Sequence, residues 1–319
     1  MTTGLRALAI VGMICASIWT VYTQYVVLPM TDHVTSRTFR DQSIEQYEQI
    51  LNGTRPFPYQ WRVAGPQLVK WLSTASGRDP HLVDVGLKVT ALAVSAWFLV
   101  QFAARWLSPI GLVATAALYF LMTAAGYSSE GYSIYYTNDF LMVMGWNAAL
   151  ALMVAAQWPA AAAVIFLTAW AKETVFLLAL LALVAWWRGR ATPVQAVLCV
   201  LAFAIPTVLL RTIYPAPFGE WAWWHNLGLN LSSPGDVLKL AVFFNVWGVL
   251  ALQTWRRTSD LFLRDLGLLA LLYVALMFVV IDLRELRHFM PLLIIVLPAA
   301  IAELERRLAR QPVSRAGLV

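Results

Sequence analysis

Charge is what this sequence has least of. Only 13% of its 319 residues are Asp, Glu, Lys or Arg, while 60% are hydrophobic and the mean hydropathy is +0.67. A soluble domain carries about 25% charged residues, so the composition excludes a soluble globular chain and requires an integral membrane protein. Cysteine is nearly absent, and Cys15 and Cys199 both lie inside apolar segments. Neither a disulfide framework nor a thiolate metal site is expected from them, and they read as two packed apolar thiols. Histidine is equally sparse: His33, His81, His225 and His288 lack metal-ligand spacing such as His-x-x-x-His, so a zinc site has no support. Internal repeats and low-complexity tracts are missing too, apart from the polar end 311–319. The net charge of +6 is no nucleic-acid footprint, because the arginines gather at the ends of apolar runs, which is membrane topology.

What the chain does have is long apolar runs. Crossing a bilayer takes about 20 apolar residues as helix, since unsatisfied backbone groups are intolerable in lipid. Such runs fall at 7–28, 82–104, 109–126, 139–156, 194–213, 237–255, 261–281 and 288–305, which predicts an all-α polytopic bundle of about eight full spanning helices. The first follows Arg6, exceeds the apolar core of a signal peptide, about 7 to 15 residues, and has no small-x-small end, so it reads as an uncleaved first span.

The segment 159–187 is different, because it carries Lys172 and Glu173 in its middle. The positive-inside rule, which counts Lys and Arg in short loops, decides how it runs. With Arg6 inside, Arg105 also falls inside and the loop 127–138, which has no Lys or Arg, falls outside. If 159–187 crossed once, Arg188 and Arg190 and all later basic loops would invert. If it rises to Lys172 and returns as two short helices, Arg256, Arg257, Arg306, Arg307 and Arg310 all fall inside. A broken or re-entrant pair is therefore expected, of the kind tolerated where it lines a cavity. The chain reads as one membrane domain, 1–319, with an external loop 29–81 and a cytoplasmic tail 306–319.

Ionisable residues at the membrane edge are functional candidates, and on this topology they converge on the outer face. In the first loop the pattern Ile44, Tyr47, Ile50, Leu51 predicts an amphipathic surface helix, and Val63 to Leu72 a second one. Asp41 is either a cap for the first of these or a general base beside an acceptor hydroxyl. Asn52-Gly53-Thr54 reads as a turn as well as a sequon. Asp139 sits at the mouth of a span, as a cap or as part of a cleft. Lys172 and Glu173 are adjacent, so on a helix they point about 100° apart and need different partners. Glu220, Trp221, Trp223, Trp224 and His225 form either an interfacial aromatic belt or a platform on which a sugar ring stacks beside an acid. From Asp282 to His288 two acids, two arginines and a histidine crowd together. Arg284 and Arg287, three apart, share a helical face, as do Glu285 and His288. The arginines suit a phosphate or simply anchor the last helix.

In order along the chain these stretches resemble the GT-C superfamily, multi-spanning glycosyltransferases that take sugars from polyprenyl-phosphate donors. The likeness rests on "RDQSIEQYEQILNGTRPFPYQWRVAGPQL", with Asp41, Tyr47, Gly53, Pro58, Tyr59, Arg62 and Pro66, on "YYTNDFLMVMGWNAALAL" followed by "AWAKETVFLL", and on "ELRHFMPLL". It implies an acid in the first external loop as base or metal contact, here Asp41 with Asp32 second. It also implies basic residues that hold the lipid phosphate, here Arg284, Arg287, Lys172 and Arg62. Tyr59, Asp139, Glu173, Glu285 and His288 complete the substrate site, with Glu220, Trp223 and Trp224 toward the acceptor. The chain carries single, separated aspartates where many members have an acidic pair, and it lacks the large soluble domain of several of them.

The expected partners are a polyprenyl-phosphate-linked sugar and membrane lipids, with a divalent cation as a candidate cofactor. The expected place is the cell membrane, with both termini cytoplasmic and the active face outside. Two other classes stay open: a transporter or flippase of an anionic or lipid-linked substrate, from the interrupted helix, and a non-catalytic subunit of an envelope-assembly complex.

Overall fold

The computed structural model describes residues 3–22, 39–54, 61–128, 137–214, 223–281, 283 and 285–310. Its α-helices are α1 (Thr3–Tyr22), α2 (Phe39–Leu51), α3 (Ala64–Ser76), α4 (Pro80–Ala103), α5 (Pro109–Ser128), α6 (Thr137–Val154) and α7 (Trp158–Ala169), followed by α8 (Phe176–Trp187), α9 (Pro193–Ile213), α10 (Trp223–Ser232), α11 (Pro234–Arg257), α12 (Leu261–Val280) and α13 (Leu293–Arg310). No strand occurs among the described residues. Among the described residues six helical segments are long and apolar enough to cross a membrane: α4, α5, α9, α11, α12 and the stretch Leu286–Arg310 that contains α13. The other two runs read as spans are also helical. The described apolar part of α1 is Val11–Tyr22, and α6 opens on the polar run Thr137-Asn138-Asp139.

The packing is that of a bundle in lipid. Large apolar side chains such as Val113, Leu121, Val208, Val242 and Leu268 are exposed on its outside, an area of apolar surface that a soluble monomer does not show. The centre is α6 and α13. α6 is buried on nearly every side, as expected of a helix apolar all round, and so is the apolar first half of α13, Leu293 to Ile301, before its charged end emerges at the surface. α6 packs against α4 and α7, and α13 against α11 and α5. The chain is an integral membrane helical bundle.

The two ends of this bundle differ in chemistry. One collects arginines that the sequence places at the ends of spans, tied to acids at the start of α12 or on α13. Arg105 lies 3.7 Å from Asp260, Arg188 and Arg190 reach Asp265, and Arg257, Arg306 and Arg307 surround the buried Glu303. Asp260 also caps α12, accepting from the backbone N–H of Phe262 and Leu263, and it takes the indole N–H of Trp106 at 3.0 Å. Burial alone would raise its carboxyl, but these donors and Arg105 outweigh that and hold it below the usual carboxylate value.

The interrupted segment behaves as its charges demand. α7 leaves the arginine end and stops at Ala169. Lys172 is then extended (φ −162°, ψ 138°), which a helix cannot accommodate. After a 3-10 turn, Glu173–Val175, α8 returns to Arg188. α7 and α8 are 12 residues each, so each rises about 18 Å, short of the roughly 30 Å hydrocarbon core. The break therefore lies inside the bundle, with Lys172 and Thr174 buried, where freed backbone groups need protein partners. One is supplied by the first loop: the amide of Ala64 donates to the carbonyl of Trp170 at 3.1 Å.

In the first loop, α2 and α3 match the two expected amphipathic helices. α2 begins at Phe39, so Asp41 is its third residue rather than its cap. Asn52-Gly53-Thr54 is a turn, with Gly53 at φ +68°. The last span begins with a seven-residue 3-10 segment, Leu286–Leu292, all buried. Runs of that length are uncommon because their hydrogen-bond geometry is poorer. Here Pro291, which has no N–H, disfavours a regular α-helical ladder.

Candidate functional site

Three consecutive residues at the start of α6 organise the end of the bundle opposite the arginines. Thr137 hydrogen-bonds to Asp84 of α4, and its backbone N–H donates to the Tyr47 hydroxyl of α2 at 3.2 Å. Asn138 clamps the first-loop segment, donating to the carbonyl of Arg62 at 2.7 Å and accepting from the N–H of Gly65 at 2.7 Å. Asp139 faces inward. One of its oxygens takes Lys172 Nζ at 2.6 Å and the other takes Arg287 Nη1 at 2.9 Å.

From Asp139 the contacts close into a ring. Lys172 Nζ is 3.0 Å from His288 Nδ1. An ammonium only donates, so Nδ1 accepts and the imidazole is the neutral Nε2–H tautomer. That N–H donates to Glu285 at 2.7 Å. Glu285 also takes Arg287 Nη2 at 2.8 Å, and Arg287 returns to Asp139. The ring holds two cations, two carboxylates and a neutral imidazole, so its net charge is zero. That is the condition under which buried charges are tolerated in a low dielectric. It fastens α6, the α7–α8 break and the 3-10 segment to one another. Beside it Arg62 reaches Glu173 at 3.1 Å, so the adjacent Lys172 and Glu173 do have different partners.

A second buried pair, Lys88 and Asp84 at 2.5 Å, lies one helical turn apart on α4. Tyr47 donates to the same carboxylate at 3.0 Å. Burial, and then the Asp84 charge beside it, holds the Tyr47 phenol well above its usual value, so it remains a donor.

Next to the ring opens a cleft of about 490 Å³. Its polar end carries Arg62, Lys172, Glu173, Arg211, Glu285 and His288. Its walls are apolar: Phe176 of α8, Phe203 of α9, and Leu276, Met277 and Val280 of α12. α9 and α12 both pack on α8, which makes α8 the floor of the gap between them. α10 closes the cleft's rim: Asn226 donates to the carbonyl of Val280, and Asn230 to those of Phe278 and Ile281, which satisfies the otherwise orphaned end of α12.

Of the cleft's cations, Lys172 and Arg62 are committed to carboxylates. Arg211 is not: it is exposed and makes no ion pair among the described residues, and its guanidinium stacks 5.0 Å above the ring of Trp61. Trp61 is itself fixed by donating to the carbonyl of Tyr214 at 3.0 Å.

The expected site residues thus sort into three groups. Arg62, Lys172, Glu173, Glu285 and His288 meet in the cleft wall. Asp139 and Arg287 lie behind it, buried in the ring, and Arg287 points neither into the cleft nor to a headgroup layer. Asp32, Tyr59, Glu220 and Arg284 lie outside the described residues. So do the side chains of Asp41, Trp223 and Trp224, which are placed only as helical positions in the first turns of α2 and α10.

The reading from sequence missed Arg211, Asp84 and Lys88. Signals existed for both sites. Arg211 ends a span on the side away from the basic loops, and Asp84 and Lys88 stand four apart inside an apolar run.

Among the described residues no three His, Cys, Asp or Glu side chains converge to hold a metal, and Glu173 and Glu285 are each already occupied by an arginine; Asp32 and the Asp41 side chain, to which the resemblance would give a cation, lie outside the described residues. Compared with known protein families, curated proteins and solved structures, the chain matches none. Fold and site together define an integral membrane bundle with a buried, charge-neutral ring behind a half-charged, half-apolar cleft.

Proposed function

We propose that this protein transfers a sugar from a polyprenyl-phosphate donor to a lipid or glycan acceptor, in the manner of the GT-C glycosyltransferases its sequence resembles. One observation carries the reading: the cleft has a lipid-like wall of Phe203, Leu276 and Val280 and, at its polar end, a cation with no acid partner among the described residues, Arg211. A ligand that satisfies both is a long apolar chain ending in phosphate, whose oxygens match the guanidinium fork.

Arg211 takes the phosphate, in a cleft that Arg62 and Lys172 also line. Because a sugar on a lipid phosphate is already activated, the protein need only hold the leaving phosphate with positive charge and accept the proton of an acceptor hydroxyl. The resemblance gives that proton to Asp41, with Asp32 as the second choice. By the positive-inside rule the arginine end is cytoplasmic, which puts the cleft on the outer side of the cell membrane.

The direct test is transfer of labelled sugar from polyprenyl-phosphate donors by the purified protein in nanodiscs, wild type against Asp41→Asn. Turnover that falls at least about a hundredfold, within the range for a lost general base, supports the reading. Lipid-phosphate binding with no turnover in the wild type favours a lipid carrier instead.

A further inference from the structure

A second cavity, of about 310 Å³, lies between α2 and α3 on the same end of the bundle. Its lining mixes the Tyr47 ring and neighbouring apolar side chains with a polar rim: Glu48 and Asn52 from α2, Lys70 and Ser73 from α3. Glu48 and Lys70 are exposed and have opposite charges, yet they form no ion pair with each other. The Ser73 hydroxyl oxygen is buried and has no hydrogen-bond partner among the described residues. A buried hydroxyl without a partner is costly, and an incoming hydroxyl would relieve it. An anion would meet Glu48, and a cation Lys70. The chemistry that suits both, together with the apolar surface of Ile44, Leu51 and Val69, is a neutral molecule rich in hydroxyl groups.

The groove is tied to the cleft by a short stretch of chain. Trp61 and Arg62 line the cleft, while Pro66 and Val69 line the groove. Arg62 and Pro66 are four residues apart, so their Cα atoms are separated by at most about 14 Å. Asn138 pins the stretch between them through Arg62 and Gly65, next to the residue that anchors Lys172. From the groove, Tyr47 reaches Thr137 and Asp84.

We infer that the α2–α3 groove is the acceptor subsite, and that it takes the end of a neutral oligosaccharide. The acceptor role rests on the transferase reading; the binding of glycan does not.

Saturation-transfer NMR tests it on the full chain in nanodiscs with neutral oligosaccharides of glucose, mannose, galactose and N-acetylglucosamine. At least one is expected to bind wild type. Ser73→Trp, which fills the groove, and Lys70→Ala, which only trims its rim, should each weaken that binding about tenfold or more, while Arg211→Ala leaves it intact. Absence of binding to any oligosaccharide, or binding unchanged in both groove variants, overturns the proposal. Native mass spectrometry with polyprenyl phosphate forms a separate arm. Oligosaccharide bound in the groove with no lipid phosphate bound in the cleft removes the acceptor role and the transferase reading, and leaves a glycan site.

Discussion

At Asp139 one carboxylate holds two cations out of water, and burial decides what its loss does. Asp139→Asn leaves Lys172 and Arg287 with less negative charge than positive inside the bundle. Breaking a buried pair by removing one partner costs about 3–5 kcal/mol. The variant should show that loss as a lower unfolding midpoint in detergent, and Arg287→Ala should behave alike. Because the two residues share a bond, the double variant should lose clearly less than the sum of the singles. A fully additive result would show that the ring is not coupled.

Asp260 makes a different statement, because it is reached by solvent at the arginine end. Its folded carboxyl is held below its unfolded value, so it stabilises the fold above the unfolded pKa of about 3.9 and that contribution is lost as the pH falls through the folded value. Asp260→Asn should therefore flatten the acid limb of the stability-against-pH curve below about pH 4. An unchanged limb would mean that other carboxylates set it.

Among the elements, the contact of α6 with α7 is the tightest in consequence. At Gly145 an added Cβ would run into the side chain of Thr168, whose hydroxyl is engaged with the carbonyl of Val164 at 2.7 Å. Gly145→Ala should cost about 1–3 kcal/mol by overpacking, and Thr168→Ala should recover part of it in the double variant, since it removes the nearest atoms. No recovery would locate the cost elsewhere.

This is also the scale at which sequence and structure agree best. Each of the eight apolar runs holds a helix among the described residues, and the break in the ninth falls at Lys172, because a bilayer fixes helix length and a buried cation needs a partner. The ring was legible only locally. Glu285 and His288 are three apart and do pair, but Asp139 meets Arg287 across 148 positions, and no periodicity reports such a distance. Asp41 illustrates a boundary effect: α2 starts at Phe39, so a residue read as a cap is a residue of the first turn. Arg211 was passed over because an arginine at a helix end reads as an anchor until the opposite end of the bundle is seen to hold the other basic clusters.

For the whole molecule, topology and function share one geometry. Arg188 returns to the arginine end through Asp265, whereas Glu173 lies in the cleft with Arg62. Single cysteines introduced at 173 and 188 should thus label from opposite faces of the membrane. Labelling from one face would reject the α7–α8 hairpin. The same arrangement places the neutral ring behind the cleft wall and, on the proposed reading, leaves Arg211, α9 and α12 as the part that would meet a lipid phosphate.

The binding of polyprenyl phosphate to the protein in nanodiscs, followed by native mass spectrometry for wild type, Arg211→Lys and Arg211→Ala, tests this most directly. Arg211 as the phosphate anchor requires affinity to drop about tenfold or more in Arg211→Ala, in line with the roughly 1.5–3 kcal/mol of a hydrogen bond to a charged group, and to be partly kept in Arg211→Lys. Equal affinity in all three proteins contradicts it, and the cleft would then have no claim on a lipid phosphate.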